Sequence, residues 1–292
     1  MSSAMPTTTQ RDPMFEASSS RITVVRPTTG WAALNLPEIW QYRDLLLTLA
    51  MRDVKLRYRQ TALGIVWVIL QPLIAAAIFS FVFGKIGHFS TDKISPFMFS
   101  YAGMLGWNAF SSTLTKSSMC LIGNSQLVSK IYFPRLVLPF STVCSTLIDF
   151  AVGLSLMVIL MPVYHVAPTI WLITLPIWLL LIVTLAMGLG LFAAALTVSY
   201  RDIQYVLPVF TQFLLFASPV AYSATSIHAH DLKVFFYLNP ISGLMQGFRW
   251  SMLGVGEVSL GATLYSVAFA ALLLVGGVVA FRNMERSFAD VI

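Results

Sequence analysis

Of the 292 residues 57% are apolar and 10% are charged, against about 25% charged in a typical soluble domain, and eighteen Lys and Arg outnumber twelve Asp and Glu to give a net charge of +6. A soluble globular domain is excluded. Nucleic acid is excluded as a partner too, because the cations collect beside apolar runs instead of interleaving with a polar surface. The chain reads as an all-α polytopic membrane protein.

Residues 1–38 are rich in Ser, Thr and Pro, lack the apolar core a secretory signal needs, and read as a disordered cytoplasmic tail. The character changes at 39–60. Gln41, Asp44, Thr48, Arg52, Lys55 and Arg59 recur at steps of three or four opposite Leu47, Met51, Val54 and Tyr58. That spacing predicts an amphipathic interfacial helix, its cations toward anionic headgroups and its Leu and Met in the acyl boundary.

Six apolar stretches follow that approach or exceed the roughly 20 residues a spanning helix needs: about 62–83, 97–122, 136–163, 169–198, 206–222 and 260–281. The fifth is short and bounded by Pro208 and Pro219. Assigned to alternate sides, Lys and Arg divide fourteen to four, and the positive excess marks the cytoplasmic side, where both termini then lie. There is no internal repeat of the inverted kind common in secondary carriers.

Trp67, Trp107 and Phe110 in the first two stretches, with Gln71 and Asn108 near in sequence, offer rings and amides that suit stacking on the CH faces of a sugar. Aromatic rings near span ends equally form an interfacial belt. From Gly123 to Arg135 the chain offers Asn124 as a helix cap, about two turns of mixed polarity, and Pro134 as a stop. This is either a rod that passes a push from a soluble partner into the membrane or a helix that rests on the bilayer.

Asp149 is the carboxylate well inside a stretch, which requires it to be protonated, to face water or to pair; helix packing among Ser145, Thr146 and Ser155 and a place on a pathway are both open. Cys120 and Cys144 read as small buried hydrophobes. The turn Ser199 to Asp202 reads as a docking contact or as an Arg–Asp surface pair. Residues 223–259 predict one or two short outer helices, re-entrant or in a plain loop, with Asn239-Pro240 as a helix start.

Chemistry is sparse. His88 with Asp92, and His228, His230 and Asp231, fall in outer loops without the further ligands a metal site needs. Gly84-Lys85 lacks the upstream glycine and following Ser or Thr of a phosphate loop, so any ATP used must be bound by another chain. A membrane-bound glycosyl- or acyltransferase is the alternative from another class, with the His88/Asp92 loop as its weak claimant.

Five segments carry a resemblance: RDVKLRYRQTALGIVWVILQPL at Arg52 to Leu73, SKIYFPRLVLP at Ser129 to Pro139, SYRDIQYVLPVFTQFLLFASPVAY at Ser199 to Tyr222, NPISGLMQGFR at Asn239 to Arg249 and ERSFADVI at Glu285 to Ile292. They resemble the membrane subunit of polysaccharide ABC exporters, the O-antigen and teichoic-acid permeases of ABC-2 type, over everything but the first 38 residues. The resemblance implies a homodimer of six-span subunits in the bacterial cytoplasmic membrane. It implies a separate cytoplasmic ATPase that holds ATP and magnesium, no cofactor on this chain, and a lipid-linked polysaccharide as cargo.

It further implies coupling to the ATPase through Asn124, Gln126, Lys130, Ile131, Tyr132, Phe133, Pro134 and Arg135, with Tyr200, Arg201 and Asp202 beside them. Arg52, Lys55, Arg57, Tyr58 and Arg59 become an interfacial gate helix, residues 223–259 outer re-entrant helices, and 286–292 a further ATPase contact. Trp67, Gln71, Trp107, Asn108, Phe110 and Asp149 are then the candidates for a path between two subunits. An ABC exporter of lipids or drugs is the nearest alternative.

Overall fold

The computed structural model describes residues 36–59, 65–87, 94–220, 236–256 and 258–291, and among them every regular element is helical. The tail expected over 1–38 lies outside the described residues except for its last three, which begin the first helix. In chain order the helices are α1 (Leu36–Gln41), α2 (Arg43–Arg59), α3 (Ile65–Phe79), α4 (Pro96–Met119), α5 (Ser125–Lys130) and α6 (Val137–Val163). They continue with α7 (Leu175–Ser199), α8 (Ile203–Ala217), α9 (Pro240–Leu253) and α10 (Leu260–Val291). A π-helical extension, Ser80–Ile86, prolongs α3, and 3-10 turns at Ile122–Asn124 and Ile170–Thr174 lead into α5 and α7.

Four helical stretches among the described residues are long and apolar enough to cross a membrane: Val66–Ile86, Val137–Val163, Ile170–Ser199 and Leu260–Met284. The other two expected spans differ from these for separate reasons. Helix α4 has 24 residues, about 36 Å at 1.5 Å per residue, but its sequence is diluted by Ser, Thr and Gly. It is buried along most of its length between α7, α6, α3 and α9, so it touches protein where a lipid-facing helix would need apolar surface. Two of its buried hydroxyls bond within the helix: Thr113 donates to the Ala109 carbonyl at 2.7 Å and Ser117 to that of Thr113 at 2.6 Å. Helix α8, with 15 residues, covers only about 22 Å against a hydrocarbon core of roughly 30 Å.

Helix α7 is the centre of the bundle. It crosses α10 so closely that a Cβ on Gly277 would stand 2.4 Å from the Gly188 carbonyl oxygen, and one on Gly188 would stand 2.6 Å from the backbone of Leu273. Glycine is required at this crossing because the two backbones are in contact, the small-residue packing that holds membrane helices together. Helix α4 is tied to α6 by the buried Tyr101 hydroxyl, which donates to the Gly153 carbonyl at 2.9 Å.

At one end of α4 the chain after α8 leaves the helix. Ser218, Pro219 and Val220 are buried, and irregular backbone at that depth requires partners for its carbonyls. Helix α9 supplies them from both of its ends. The Asn239 side-chain amide donates to the Ala217 carbonyl at 3.2 Å and the Ser218 hydroxyl at 2.9 Å. Arg249 donates to the carbonyls of Pro219 at 3.0 Å and Val220 at 3.3 Å, with its guanidinium 4.0 Å from the centre of the Phe99 ring. Asn239 also caps α9 by accepting from the Ile241 amide, as the Asn-Pro pair predicts, and Gly254 ends the helix at φ 70.

At the other end of α4 a second apolar cluster joins Leu49 of α2 to Cys120, Leu121, Phe133, Val137, Leu191 and Phe281. Helix α2 also presents an apolar edge beyond the stripe expected from its sequence. The stripe Leu47, Met51 leaves both residues half exposed, at 55% and 51%, while Leu49 and Ala50, each 4% exposed, make the contact with the bundle. Helix α2 therefore has two apolar edges, one docked along α6 and one open.

Candidate coupling site and translocation surface

The connection from α4 to α6 is shorter and more anchored than two free helical turns. Helix α5 has six residues, after which Ile131 is extended and Pro134 admits the turn into α6. Asn124 does not cap α5, because the 3-10 turn Ile122–Asn124 runs directly into it and leaves the side chain free for other work. Its amide donates back to the Cys120 carbonyl at the end of α4 at 2.8 Å, and its oxygen accepts from Arg52 of α2 at 2.6 Å.

The residues expected to meet an ATPase divide into two groups. Gln126, Lys130, Ile131 and Tyr132 are exposed, the last two at 56% and 70%. Phe133 instead enters the second apolar cluster, with Pro134 and Arg135 half-buried behind it. Phe133 thus fastens the connection to the bundle while its neighbours present a surface. Tyr200, Arg201 and Asp202 are exposed in the turn between α7 and α8.

Asp149 lies twelve residues into α6, about 18 Å along its axis, and is 13% exposed. Two cations from two other helices reach the same carboxylate oxygen: Lys116 of α4 at 3.0 Å, and Arg57 of α2 in a short ion pair. Lys116 also donates to the hydroxyls of Ser145 at 3.0 Å and Thr146 at 3.4 Å. The carboxylate is therefore paired within the described residues. Lys116, six residues inside its apolar stretch, needs a partner as much as an aspartate does, but its place in the last turn of α4 lets it pass for a loop residue. Arg249 carried the same signal, hidden by its place in a segment expected to form short outer helices. The side chains of Tyr58 and Arg59, and the outer-loop residues His88, Asp92, His228, His230 and Asp231, lie outside the described residues.

The path candidates occupy different surroundings. Trp107 and Phe110, 5% and 0% exposed, pack on each other inside the core with ring centres 5.3 Å apart, and Asn108 beside them is half-buried. Trp67 and Gln71 lie on the open side of α3. That side continues through Ile74, Ile78 and Phe81, and α8 is more open still: Tyr205, Val206, Val209, Phe210, Phe213 and Phe216 are all exposed.

The sequence profile of the ABC-2 type transporter family matches residues 44–253. This chain belongs to the ABC-2 type transporter family. The ABC-2 match begins at Asp44 in α2 and ends at Leu253, the last residue of α9, so it takes in both the Asp149 cluster and the Arg249 clamp. Among named ABC-2 relatives, the O-antigen export system permease protein RfbA of Myxococcus xanthus is 30% identical over 213 residues, 73% of this chain and 81% of the relative. A protein of the same name from Klebsiella pneumoniae is 26% identical over 85% of this chain and 95% of its own. The polysialic acid transport protein KpsM of Escherichia coli is 29% identical over 82% and 93%.

Proposed function

We propose that this chain is the transmembrane subunit of an ATP-driven exporter that moves a lipid-linked polysaccharide across the bacterial cytoplasmic membrane, through a channel between two copies. The observation that carries the reading is the similarity, over most of this chain, to permeases named for O-antigen and polysialic acid export. No phosphate loop occurs in the sequence, in keeping with ATP and magnesium held by a separate cytoplasmic ATPase.

In this reading α4 and α8 join the four more apolar candidate spans to make six, both termini are cytoplasmic, and the α5 connection faces the ATPase with Gln126, Lys130, Ile131 and Tyr132. The open sides of α3 and α8, bearing Trp67, Gln71, Tyr205, Phe210 and Phe213, supply the wall between copies. A polymer too long for a closed pocket needs such a wall, tolerant in its contacts and poor in charge. Work is done by population shift: ATP binding favours the arrangement in which the ATPases are together, and the permease follows only as far as the two arrangements differ in their affinity for ATP.

The test is hydrolysis and glycan export by the purified chain in lipid, with and without a co-expressed candidate ATPase. Hydrolysis that requires the partner, with export lost in a Lys130→Ala, Ile131→Ala, Tyr132→Ala variant that still folds, is the expected result. A chain that associates with no ATPase refutes the proposal.

A further inference from the structure

We infer that Asp149 is a pivot for α2, with Arg57 as the residue that positions α2 on it, and that the Arg52–Asn124 contact is where α2 takes its movement from the α5 connection. The inference rests on the reading of the chain as an ATP-driven permease.

Helix α2 is fastened by polar contacts at two levels. Arg52 and Arg57 are five residues apart, about 7.5 Å along the helix and some 140° around it at 3.6 residues per turn. They reach different parts of the molecule. Arg52 meets Asn124, one residue before α5, which also holds the end of α4 through Cys120. Arg57 meets Asp149 in the body of α6, well beyond the α5 connection. A displacement of α5 therefore pulls α2 at Arg52 while Asp149 holds it at Arg57, and the helix turns about the second contact.

The charges show why the second contact is more than packing. Lys116 pairs with Asp149 from α4 and donates to Ser145 and Thr146 besides. Arg57 is thus a second cation on a carboxylate that Lys116 already pairs, and what it adds is the connection to α2. An ion pair also suits a pivot. Coulombic attraction falls off slowly with distance and the arginine side chain is long, so the contact survives a change of angle that would break close apolar packing such as that of Leu49. Arg57 is 40% exposed, which lets water follow the guanidinium as the helix turns.

The experiment places spin labels at Leu56→Cys in α2 and Leu147→Cys in α6, both exposed in the single chain, in a background with Cys120 and Cys144 replaced by Ala. Label distance is measured in the permease alone and in the complex with its ATPase, for the parent, Arg57→Gln and Arg57→Lys. In the permease alone Arg57→Gln broadens the distance distribution and Arg57→Lys narrows it again. In the complex Arg57→Gln leaves ATPase association in place while export per ATP hydrolysed falls about fivefold, and Arg57→Lys recovers most of it. An unchanged distribution in Arg57→Gln overturns the pivot, whatever the ATPase does. A broadened distribution with export per ATP unchanged overturns its part in transmission. Failure of the parent chain to bind any ATPase counts against the permease reading instead, and the measurement on the permease alone still decides whether Arg57 fastens α2.

Discussion

Lys116 and Arg57 share one carboxylate at 25% and 40% exposure, whereas Arg249, near the opposite end of α4, is 4% exposed and holds the carbonyls of Pro219 and Val220 and the ring of Phe99. Both arrangements fasten a helix to the bundle through a cation, but the energetics differ. The Asp149 cluster is charge against charge, near water, and loses strength gradually as its members separate. The Arg249 clamp is charge against backbone dipoles in a dry interior, where parting leaves polar groups unsatisfied at once. The first suits the moving joint proposed for α2, and the second suits a break in the chain that must hold still.

The largest effect that separates the two ends is expected at Arg249. Arg249→Leu strands two buried carbonyls and should cost on the order of 3 kcal/mol, seen as a lowered thermal unfolding midpoint and poor yield in detergent. Arg249→Lys should recover part of the loss, since one ammonium cannot serve two carbonyls and a ring as a planar guanidinium does. If Arg249→Leu unfolds at the parent temperature, the contrast between the ends collapses.

Asp149→Asn comes next. It leaves two cations facing a neutral amide, a loss of about 1–2 kcal/mol once the exposure of Arg57 is allowed for, and adding Lys116→Met should return most of it. A double variant no better than the single would show that the two cations do not act through one carboxylate. Salt should sharpen the distinction further. Raising ionic strength from about 0.1 M to about 1 M shortens the Debye length from about 10 Å to about 3 Å, which should loosen α2 in the label measurement while leaving the Arg249-dependent part of the unfolding midpoint unmoved. The smallest effect is expected from Arg52→Gln, within about 0.5 kcal/mol in stability because the residue is exposed, with any consequence confined to export per ATP.

Much of this was legible in the chain. Apolar runs marked the helices, and the two that fall outside the candidate spans are those whose surroundings decide their composition: α4, diluted by polar residues where protein encloses it, and α8, short because the chain breaks at Ser218. The α5 connection is visible from Asn124 to Pro134, and Asn124 takes the N-cap position of α5, but its side chain turns to Cys120 and Arg52 instead of capping, which composition does not signal. Asp149 announced itself as a carboxylate in an apolar run. Its partners did not, since Arg57 lies 92 residues away in sequence and Lys116 sits close enough to the end of α4 to pass for a loop residue. On α2, Leu47 and Met51 form as good a stripe as Leu49 and Ala50, and only the bundle chooses between them.

The contact of Gly188 with Gly277 also has a bearing on how the protein is made. Helix α7 is synthesised 89 residues before the glycine that completes its packing, an interval on the order of ten seconds at translation rates of about 5–20 residues per second. During that interval the central helix of the bundle stands in the bilayer with its closest-packed face uncovered, and α8 and α9 must be placed without occupying it. Helix α10 is therefore the one that closes this face of α7. A ribosome stalled after α9 would leave α7 with that face still open to lipid, a form that quality-control proteases have every opportunity to find.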